Sequence, residues 1–188
     1  VDEEEAICYT TTNNEKYYYA SFDAMVADLV AGTHDVYLTK DVQLTKTVKF
    51  SDKANLTLRP DSGKTIKITY PNANGAFFDG PTGSILTVCG AITLDGSGVT
   101  TKNARAFDVS GTLTIGENGT ADVPVIQNFA PANTNGGAVN VSSGTLNIYS
   151  GKLTNNAAGA MGGAIYATRD SVVNMTGGTI ASNRSTSY

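Results

Sequence analysis

Residues 111–139 read GTLTIGENGTADVPVIQNFAPANTNGGAV, and three short apolar segments lie in this stretch between turn residues. The first, Leu113-Thr114-Ile115, is typical of a strand whose middle residue faces outward. Residues 125–128 form the second segment, and Ala138-Val139 forms the third. Glycine, asparagine, aspartate and proline fill the intervals, as expected of turns. The stretch therefore predicts three short strands separated by tight turns.

The same three segments recur along the chain, with first segments that start 27 to 33 positions apart. The first segments are Leu56-Thr57-Leu58, Leu86-Thr87-Val88, Leu113-Thr114-Ile115, Leu146-Asn147-Ile148 and Val173-Asn174-Met175. The second segments are residues 66–69, 92–95, 125–128, 153–156 and 180–183. The third segments are Ala76-Phe77, Ala106-Phe107, Ala138-Val139 and Ala164-Ile165. A period of this length is the signature of a repeat architecture.

A constant number of strands with turns of variable length predicts that each strand pairs with its counterpart one repeat later. The expected fold is therefore all-β, a parallel β-helix with three strands per coil and about five to six coils. No helical pattern follows residue 32, which argues against a TIM barrel or a doubly wound fold. An antiparallel sandwich remains an alternative, although it gives no reason for segments that recur in phase.

The first 33 residues differ from the repeats, and we expect them to form an N-terminal cap that covers the first coil. A hairpin is predicted over residues 6–19. A short amphipathic helix is predicted over residues 21–31, with Ser21 as N-cap and Gly32 just beyond its end. Its apolar stripe consists of Phe22, Met25, Val26, Leu29 and Val30.

Residues 34–188 are then the β-helix, and residues 34–54 are its first coil. The sequence stops at Tyr188 within a repeat. We therefore expect the β-helix to continue in a longer protein, or its open end to be covered by another subunit.

The second and third segments together carry a resemblance to a known family. The pairs are residues 125–128 with "GGAV" at 136–139, and residues 153–156 with "GGAI" at 162–165. They resemble the repeats of polymorphic outer membrane proteins and related adhesin-like bacterial surface proteins. The stretch at 17–44, YYYASFDAMVADLVAGTHDVYLTKDVQL, looks like the cap and first coil of right-handed β-helix regions in large secreted and cell-wall proteins. The resemblance implies a right-handed β-helix at the cell surface or in the secreted medium.

Two motifs that could suggest ligand binding are better interpreted as structural. "GGAV" and "GGAI" precede predicted strands and lack the lysine of a phosphate-binding loop, so we expect them to be turns. Asn128, Asn156 and Asn183 are interpreted as an internal ladder, in which each side-chain amide binds backbone groups of the turns.

Carboxylates could support polysaccharide cleavage on this fold, because glycosidases need paired acids and lyases need a base with a cationic clamp. The candidates are Asp79, Asp95, Asp108, Glu117, Asp122 and Asp170, with Arg59, Arg105 and Arg169. Asp79 and Asp108 are expected near each other on adjacent coils. Otherwise no carboxylate cluster repeats between coils, so scattered surface acids are the preferred interpretation, and no residue is assigned as catalytic.

Other chemistry is poorly supported. The single histidine, His34, is expected in a turn after the helix, and one histidine with two cysteines is too few for a zinc site of the usual kind. Cys8 and Cys89 are predicted to lie too far apart for a disulfide and to remain free thiols. No metal or cofactor is expected.

The predicted function is a non-catalytic, extended segment of a bacterial surface or secreted adhesin, with a host glycan or protein as partner and an unknown ligand site. The alternative is a truncated polysaccharide-active enzyme, either a glycosidase or a lyase. Nucleic acid is an improbable partner, because the net charge is -4 and no basic stripe is present. No stretch is apolar for long enough to enter a membrane, and self-association through the open C-terminal coil is a further expectation.

Overall fold

The fold is known from a computed structural model, which describes residues 1–186. It is mostly β, with 45% of residues in strands and 4% in one helix, and its large sheets are parallel. In chain order the first elements are β1 (Cys8–Thr12), β2 (Glu15–Tyr19), α1 (Phe22–Asp28), β3 (Ala31–Leu38), β4 (Val42–Gln43), β5 (Val48–Lys49), β6 (Lys53–Pro60), β7 (Ile66–Thr69), β8 (Ala76–Gly80), β9 (Ile85–Val88), β10 (Ile92–Asp95) and β11 (Arg105–Val109). They are followed by β12 (Thr112–Ile115), β13 (Val125–Gln127), β14 (Val139–Val141), β15 (Thr145–Ile148), β16 (Lys152–Thr154), β17 (Ala157–Ala158), β18 (Ile165–Ala167), β19 (Val172–Met175), β20 (Thr179–Ala181) and β21 (Arg184–Ser185).

Consecutive strands of each repeat belong to three different sheets. The first sheet has the order β2-β1-β3-β6-β9-β12-β15-β19, the second β4-β7-β10-β13-β16-β20 and the third β5-β8-β11-β14-β18. A small fourth sheet pairs β17 with β21. From β3 onward every pair within these sheets is parallel. Each of the three large sheets therefore gains one strand for every repeat of the sequence.

The first sheet follows the register predicted from the tripeptides. Leu56 pairs with Leu86, Leu86 with Leu113, Leu113 with Leu146 and Leu146 with Val173. The four leucines are buried, whereas Val173 in the last strand of the sheet is 42% exposed. The predicted in-phase repeat is confirmed for this sheet.

The second sheet corrects the predicted alignment by one residue. Ile126, and not Val125, pairs with both Leu94 and Leu153, while Val125 pairs with Lys152. Ile126 is fully buried and Val125 is half-buried. Because two β-branched residues stand side by side, the sequence pattern does not show which of them faces inward.

The third sheet contains a second shift of the same kind. Phe78 pairs with Phe107, and Ala76 pairs with Arg105, so the equivalent of Ala106-Phe107 is Phe77-Phe78 rather than Ala76-Phe77. Both phenylalanines are buried. As in the second sheet, adjacent apolar residues made the register ambiguous in the sequence.

Packed aromatic rings link the helix to the repeats. The Phe78 ring lies 5.7 Å from Phe22 in α1, where the contact is edge-to-face, and it stacks on Phe50 at 6.0 Å and on Phe107 at 5.6 Å, measured between centroids. All four rings are buried. Aromatic pairs at these distances add to the stabilisation from burial, so α1 is fixed to the interior beside the first repeats.

The N-terminal elements are present but shorter than predicted. β1 and β2 form an antiparallel hairpin, and β1 also pairs antiparallel with β3. Ser21 caps α1 as expected, because its Oγ accepts a hydrogen bond from Ala24 N at 3.1 Å. The helix ends at Asp28 and not at residue 31, and Val30 is 52% exposed.

The early end of the helix has a cause in the sheet. β3 begins at Ala31, three residues before the expected start of the first coil, since Ala31 pairs with Lys53 of β6. Gly32 lies inside β3 with φ +88°, and not at the end of the helix. Strand pairing therefore prevails over the helical pattern at these positions.

Candidate binding cleft

Two of the three asparagines form the predicted ladder. Asn156 is buried, its Nδ2 donates to Ile126 O at 3.0 Å, and its Oδ1 accepts from Phe129 N at 3.1 Å. Asn183 shows the same arrangement one repeat later, where Nδ2 donates to Leu153 O at 2.8 Å and Oδ1 accepts from Asn156 N at 2.9 Å. These side chains satisfy turn backbone groups, as predicted.

Asn128 does not belong to this ladder. Because the register is shifted by one residue, Phe129 occupies the position that corresponds to Asn156. Asn128 instead has φ +63° and donates from Nδ2 to Asp95 Oδ1 at 3.0 Å. Asn155 has φ +56° at the corresponding position, so this turn repeatedly needs a residue that tolerates the left-handed conformation.

The paired glycines occupy tight corners before strands of the third sheet. Gly136 and Gly162 have φ +71° and +74°. A Cβ on Gly137 would collide with the carbonyl oxygen of Gly163, so the corners of successive repeats are in close contact. This geometry agrees with the interpretation of "GGAV" and "GGAI" as turns.

Asp95 is a structural carboxylate. Its side chain is almost fully buried and accepts hydrogen bonds from Lys67 Nζ at 2.8 Å, from Asn128 Nδ2 and from Ser97 N at 2.9 Å. Burial raises the pKa of Asp95, but these donors outweigh it and hold the pKa well below its usual range. The carboxylate is therefore fixed in its charged form between two turns.

Asp79 and Asp108 are side by side, as expected, since they pair on adjacent strands of the third sheet. Asp108 Oδ1 accepts from Arg105 Nη1 at 3.3 Å and from Asn140 Nδ2 at 3.2 Å, and Lys49 Nζ lies 3.9 Å from Asp79 Oδ2. Partial burial raises the pKa of Asp79; the charge of Asp108 adds to the rise and Lys49 opposes it. The pair stands on the outer face of the sheet, and neither residue lines the cleft described next.

A cleft of about 580 Å³ lies where the chain turns from the first sheet to the second. Its lining comes from three successive turns and comprises Arg59, Pro60, Asp61, Ser62, Gly63, Lys64, Thr65, Cys89, Gly90, Ala91, Glu117, Thr120, Ala121 and Asp122. Three of the sequence candidates, Arg59, Glu117 and Asp122, are thus brought together here. The cleft is larger than a concavity of about 220 Å³ that lies beside α1.

Arg59 is held in place by two carboxylates from different strands and turns. Its Nη2 lies 3.1 Å from Asp35 Oδ1 and 3.1 Å from Glu117 Oε1, and its Nε donates to Asp35 at 3.2 Å. Cys89, which follows β9, is buried at the base of the cleft. The guanidinium group therefore has a fixed orientation at the cleft wall.

Tyrosines of the N-terminal hairpin and of β3 lie next to this wall of the cleft. Tyr37 is the strand neighbour of Arg59, and its ring stacks on Tyr9 with centroids 5.0 Å apart. Tyr18 packs against the other side of Tyr9 at 5.6 Å. The Tyr9 hydroxyl donates to Asp61 Oδ1 at 2.9 Å, so the stack reaches a carboxylate of the cleft.

Asp61 is charged and oriented. Partial burial raises its pKa, but hydrogen bonds from Tyr9 and from Ser62 N, together with the charges of Lys16 and Lys64, bring the pKa below its usual value. Lys64 Nζ donates to Thr39 O at 2.8 Å. Tyr9 and Thr39, which lie outside the cleft, thus help to fix the side chains of Asp61 and Lys64.

The remaining candidates lie elsewhere. Arg169 and Asp170 occupy the turn before β19 and line no described cleft, and neither forms an ion pair within residues 1–186. His34 was expected in a turn, and this prediction is wrong. It lies in β3, where it pairs with Leu56 and its Nε2 lies 3.0 Å from Ala31 O. Among the described residues no group of three or more histidine, cysteine or acidic side chains could hold a metal ion.

The two cysteines have free, buried thiols. Cys8 lies in the apolar interior, whereas Cys89 lies beneath the cleft. Burial raises the pKa of each thiol to about 12.

Sequence reasoning did not find Tyr9, Tyr37, Asp61 or Lys64 as members of a site. Their proximity depends on the pairing of β1 with β3 and on the lengths of three turns. The tyrosine-rich hairpin was the available signal, because exposed tyrosines are frequent at binding surfaces.

Comparison of the chain with protein-family models, with curated proteins and with solved structures gave no match. Over residues 1–186, no helix has the length and apolar character that a membrane span requires.

Proposed function

We propose that this chain is a right-handed parallel β-helix with three strands per coil, in which residues 1–33 cap the first coil. It forms an extended, non-catalytic segment of a bacterial cell-surface or secreted adhesin-like protein. The strand order supports the architecture, because each large sheet takes one strand from every repeat. The resemblance to polymorphic outer membrane proteins supports the location and role.

The observation that carries the non-catalytic role is the engagement of three of the six acidic candidates in structural contacts. Asp95 forms an ion pair with Lys67 and links two turns. Asp108 forms an ion pair with Arg105 and accepts a hydrogen bond from Asn140. Glu117 forms an ion pair with Arg59. A general acid or base must exchange a proton with a substrate, which these contacts oppose. The cleft, by contrast, offers fixed polar groups that suit recognition without chemistry.

Incubation of the purified chain with polysaccharides tests this proposal. Neutral and uronate-containing polymers are followed by the release of reducing ends and by the absorbance of unsaturated uronates. We expect no cleavage above a buffer control. Cleavage that disappears in the Asp79→Asn/Asp108→Asn variant would overturn the non-catalytic role.

A polysaccharide-active enzyme remains the second candidate function, and one observation favours it. Asp79 and Asp108 pair on neighbouring strands about 4.8 Å apart, so their carboxylates lie next to each other on one face, as retaining glycosidases require of their two carboxylates. The raised pKa of Asp79 also suits an acid catalyst. The double variant above distinguishes this candidate from the adhesin-like role.

A further inference from the structure

We propose that the cleft between the turns at residues 59–65, 89–91 and 117–122 binds a segment of an uncharged sugar chain. This inference rests on the proposed binding role and adds the class of ligand. The hydrogen-bonding groups of the cleft, their fixed orientation and their charges support it.

The lining presents both donors and acceptors over a short distance. Arg59 and Lys64 donate hydrogen bonds. The carboxylates of Asp61, Glu117 and Asp122 accept them. Three hydroxyl side chains can do either, those of Ser62, Thr65 and Thr120. Neighbouring hydroxyls of a sugar ring require this mixture, since each can donate one hydrogen bond and accept others. A site lined mainly by one kind of group would suit a simple ion better.

The polar groups are oriented before any ligand arrives. Asp35 and Glu117 hold Arg59, and Tyr9 and Ser62 N hold Asp61. Tyr9 and Tyr37, whose rings stack, lie beside Asp61 and Arg59 respectively. Preorganisation of this kind lowers the entropic cost of binding a flexible chain.

The charges favour an uncharged ligand over an acidic one. Two cationic and three anionic side chains line the cleft, and Arg59 is already neutralised by Asp35 and Glu117. Asp122 makes no ion pair within the described residues, so its charge is available to accept sugar hydroxyls. A uronate, sulfate or phosphate group would face net repulsion here.

A protein partner fits the lining less well. The apolar members are small or buried, namely Pro60, Ala91, Ala121 and the thiol of Cys89. Protein interfaces are usually anchored by a large apolar side chain that enters a matching pocket. The lining provides no such pocket.

NMR titration of the ¹⁵N-labelled chain tests the inference. The probes are uncharged hexasaccharides of glucose, galactose, mannose, N-acetylglucosamine and N-acetylgalactosamine, with hexagalacturonate as an acidic comparison. We expect at least one uncharged probe to shift the amide signals of Ser62, Gly90 and Thr120. The Asp122→Asn variant should bind that probe about tenfold more weakly, because the charged acceptor is replaced by a neutral amide oxygen, which accepts a weaker hydrogen bond.

Asp170→Asn is the matched control, since it makes the same change in an exposed turn outside the cleft, and its affinity should equal that of the parent chain. No shift with any uncharged probe at 10 mM or so, shifts confined to another surface, or tighter binding of hexagalacturonate would each overturn the inference. Absence of binding leaves the non-catalytic role standing. Shortening of a hexasaccharide in the same samples, detected by mass spectrometry, would instead contradict that role.

Discussion

Asn156 and Asn183 lie at equivalent positions of consecutive repeats, and Asn183 Oδ1 accepts hydrogen bonds from both Asn156 Nδ2 at 3.0 Å and Asn156 N at 2.9 Å. A single side chain thus connects the turn of one repeat to the turn of the next. Since Asn156 binds Ile126 O and Phe129 N in the preceding repeat, three repeats are joined through two asparagines.

Asn156→Ala should lower the free energy of unfolding by roughly 2–4 kcal/mol, because each buried group left without a partner costs about 1–3 kcal/mol. Urea denaturation followed by circular dichroism measures the change. Asn147→Ala is the control, as Asn147 contacts Asn174 on the outer face of the first sheet, and it should cost less than about 1 kcal/mol. Equal losses for the two variants would mean that the buried ladder is not a special source of stability.

Gly137→Ala should destabilise the chain by roughly 3 kcal/mol or more, because the new methyl group would collide with the Gly163 carbonyl oxygen of the next repeat. Thermal unfolding provides the measurement. Gly98→Ala is the matched change at a glycine with no neighbouring atom within 4 Å of the added carbon, and it should stay within about 0.5 kcal/mol of the parent. A well-tolerated Gly137→Ala would contradict the close contact of adjacent corners.

The pH dependence of stability should include a contribution from Asp95. Its pKa is lower in the folded chain than in the unfolded chain, so its stabilisation is complete above about pH 4 and is lost as the pH falls toward the folded value. Asp95→Asn should therefore cost about 1–3 kcal/mol at pH 7, and this difference should shrink below pH 4. Unfolding curves between pH 2 and pH 8 provide the comparison, and a difference that is constant over this range would contradict the assignment.

Asp79 should show the opposite sign. Its pKa is raised in the folded chain, so its ionisation lowers stability as the pH rises through the interval between the unfolded and folded values. Asp79→Asn should then be neutral or slightly stabilising at pH 7, by less than about 0.5 kcal/mol, because solvent screens this partly exposed side chain. A clear loss of stability in the same unfolding experiment would show that the contact with Lys49 outweighs repulsion by Asp108.

Neither Cys8 nor Cys89 should react with iodoacetamide at pH 8 in the folded chain, because both thiols are buried and their pKa values are raised to about 12. Mass spectrometry after labelling should show two modifications in urea and none without it. Rapid labelling of Cys89 alone in the folded chain would show that the floor of the cleft is open to solvent.

The sequence was informative where one polar residue separates two apolar residues. The pattern Leu-Thr-Leu at 56–58 can place only one set of side chains inward, so the register of the first sheet was predicted correctly. Val125-Ile126 and Phe77-Phe78 offer two equivalent inward choices, and the predicted register was wrong at both places by one residue. Pairing over the whole sheet decides between the choices, and a single segment does not contain that information.

The candidate cleft could not be predicted from short segments of sequence, for a related reason. Arg59 and Glu117 were recognised as charged candidates, but their contact spans 58 positions and depends on the turn after β12. Tyr9 meets Asp61 only because the hairpin pairs back onto β3. The sequence thus indicated the repeat and the types of residue available, whereas the three-dimensional pairing of turns created the site.

A crystal structure of the chain would show directly whether its strands form the stacked β-helix on which the proposed function depends. We expect right-handed coils, with Leu56, Leu86, Leu113 and Leu146 in one parallel sheet at a spacing of about 4.8 Å, and with Asn156 bound between the turns of its neighbours. Antiparallel pairing of these leucine strands, or left-handed coils, would contradict it.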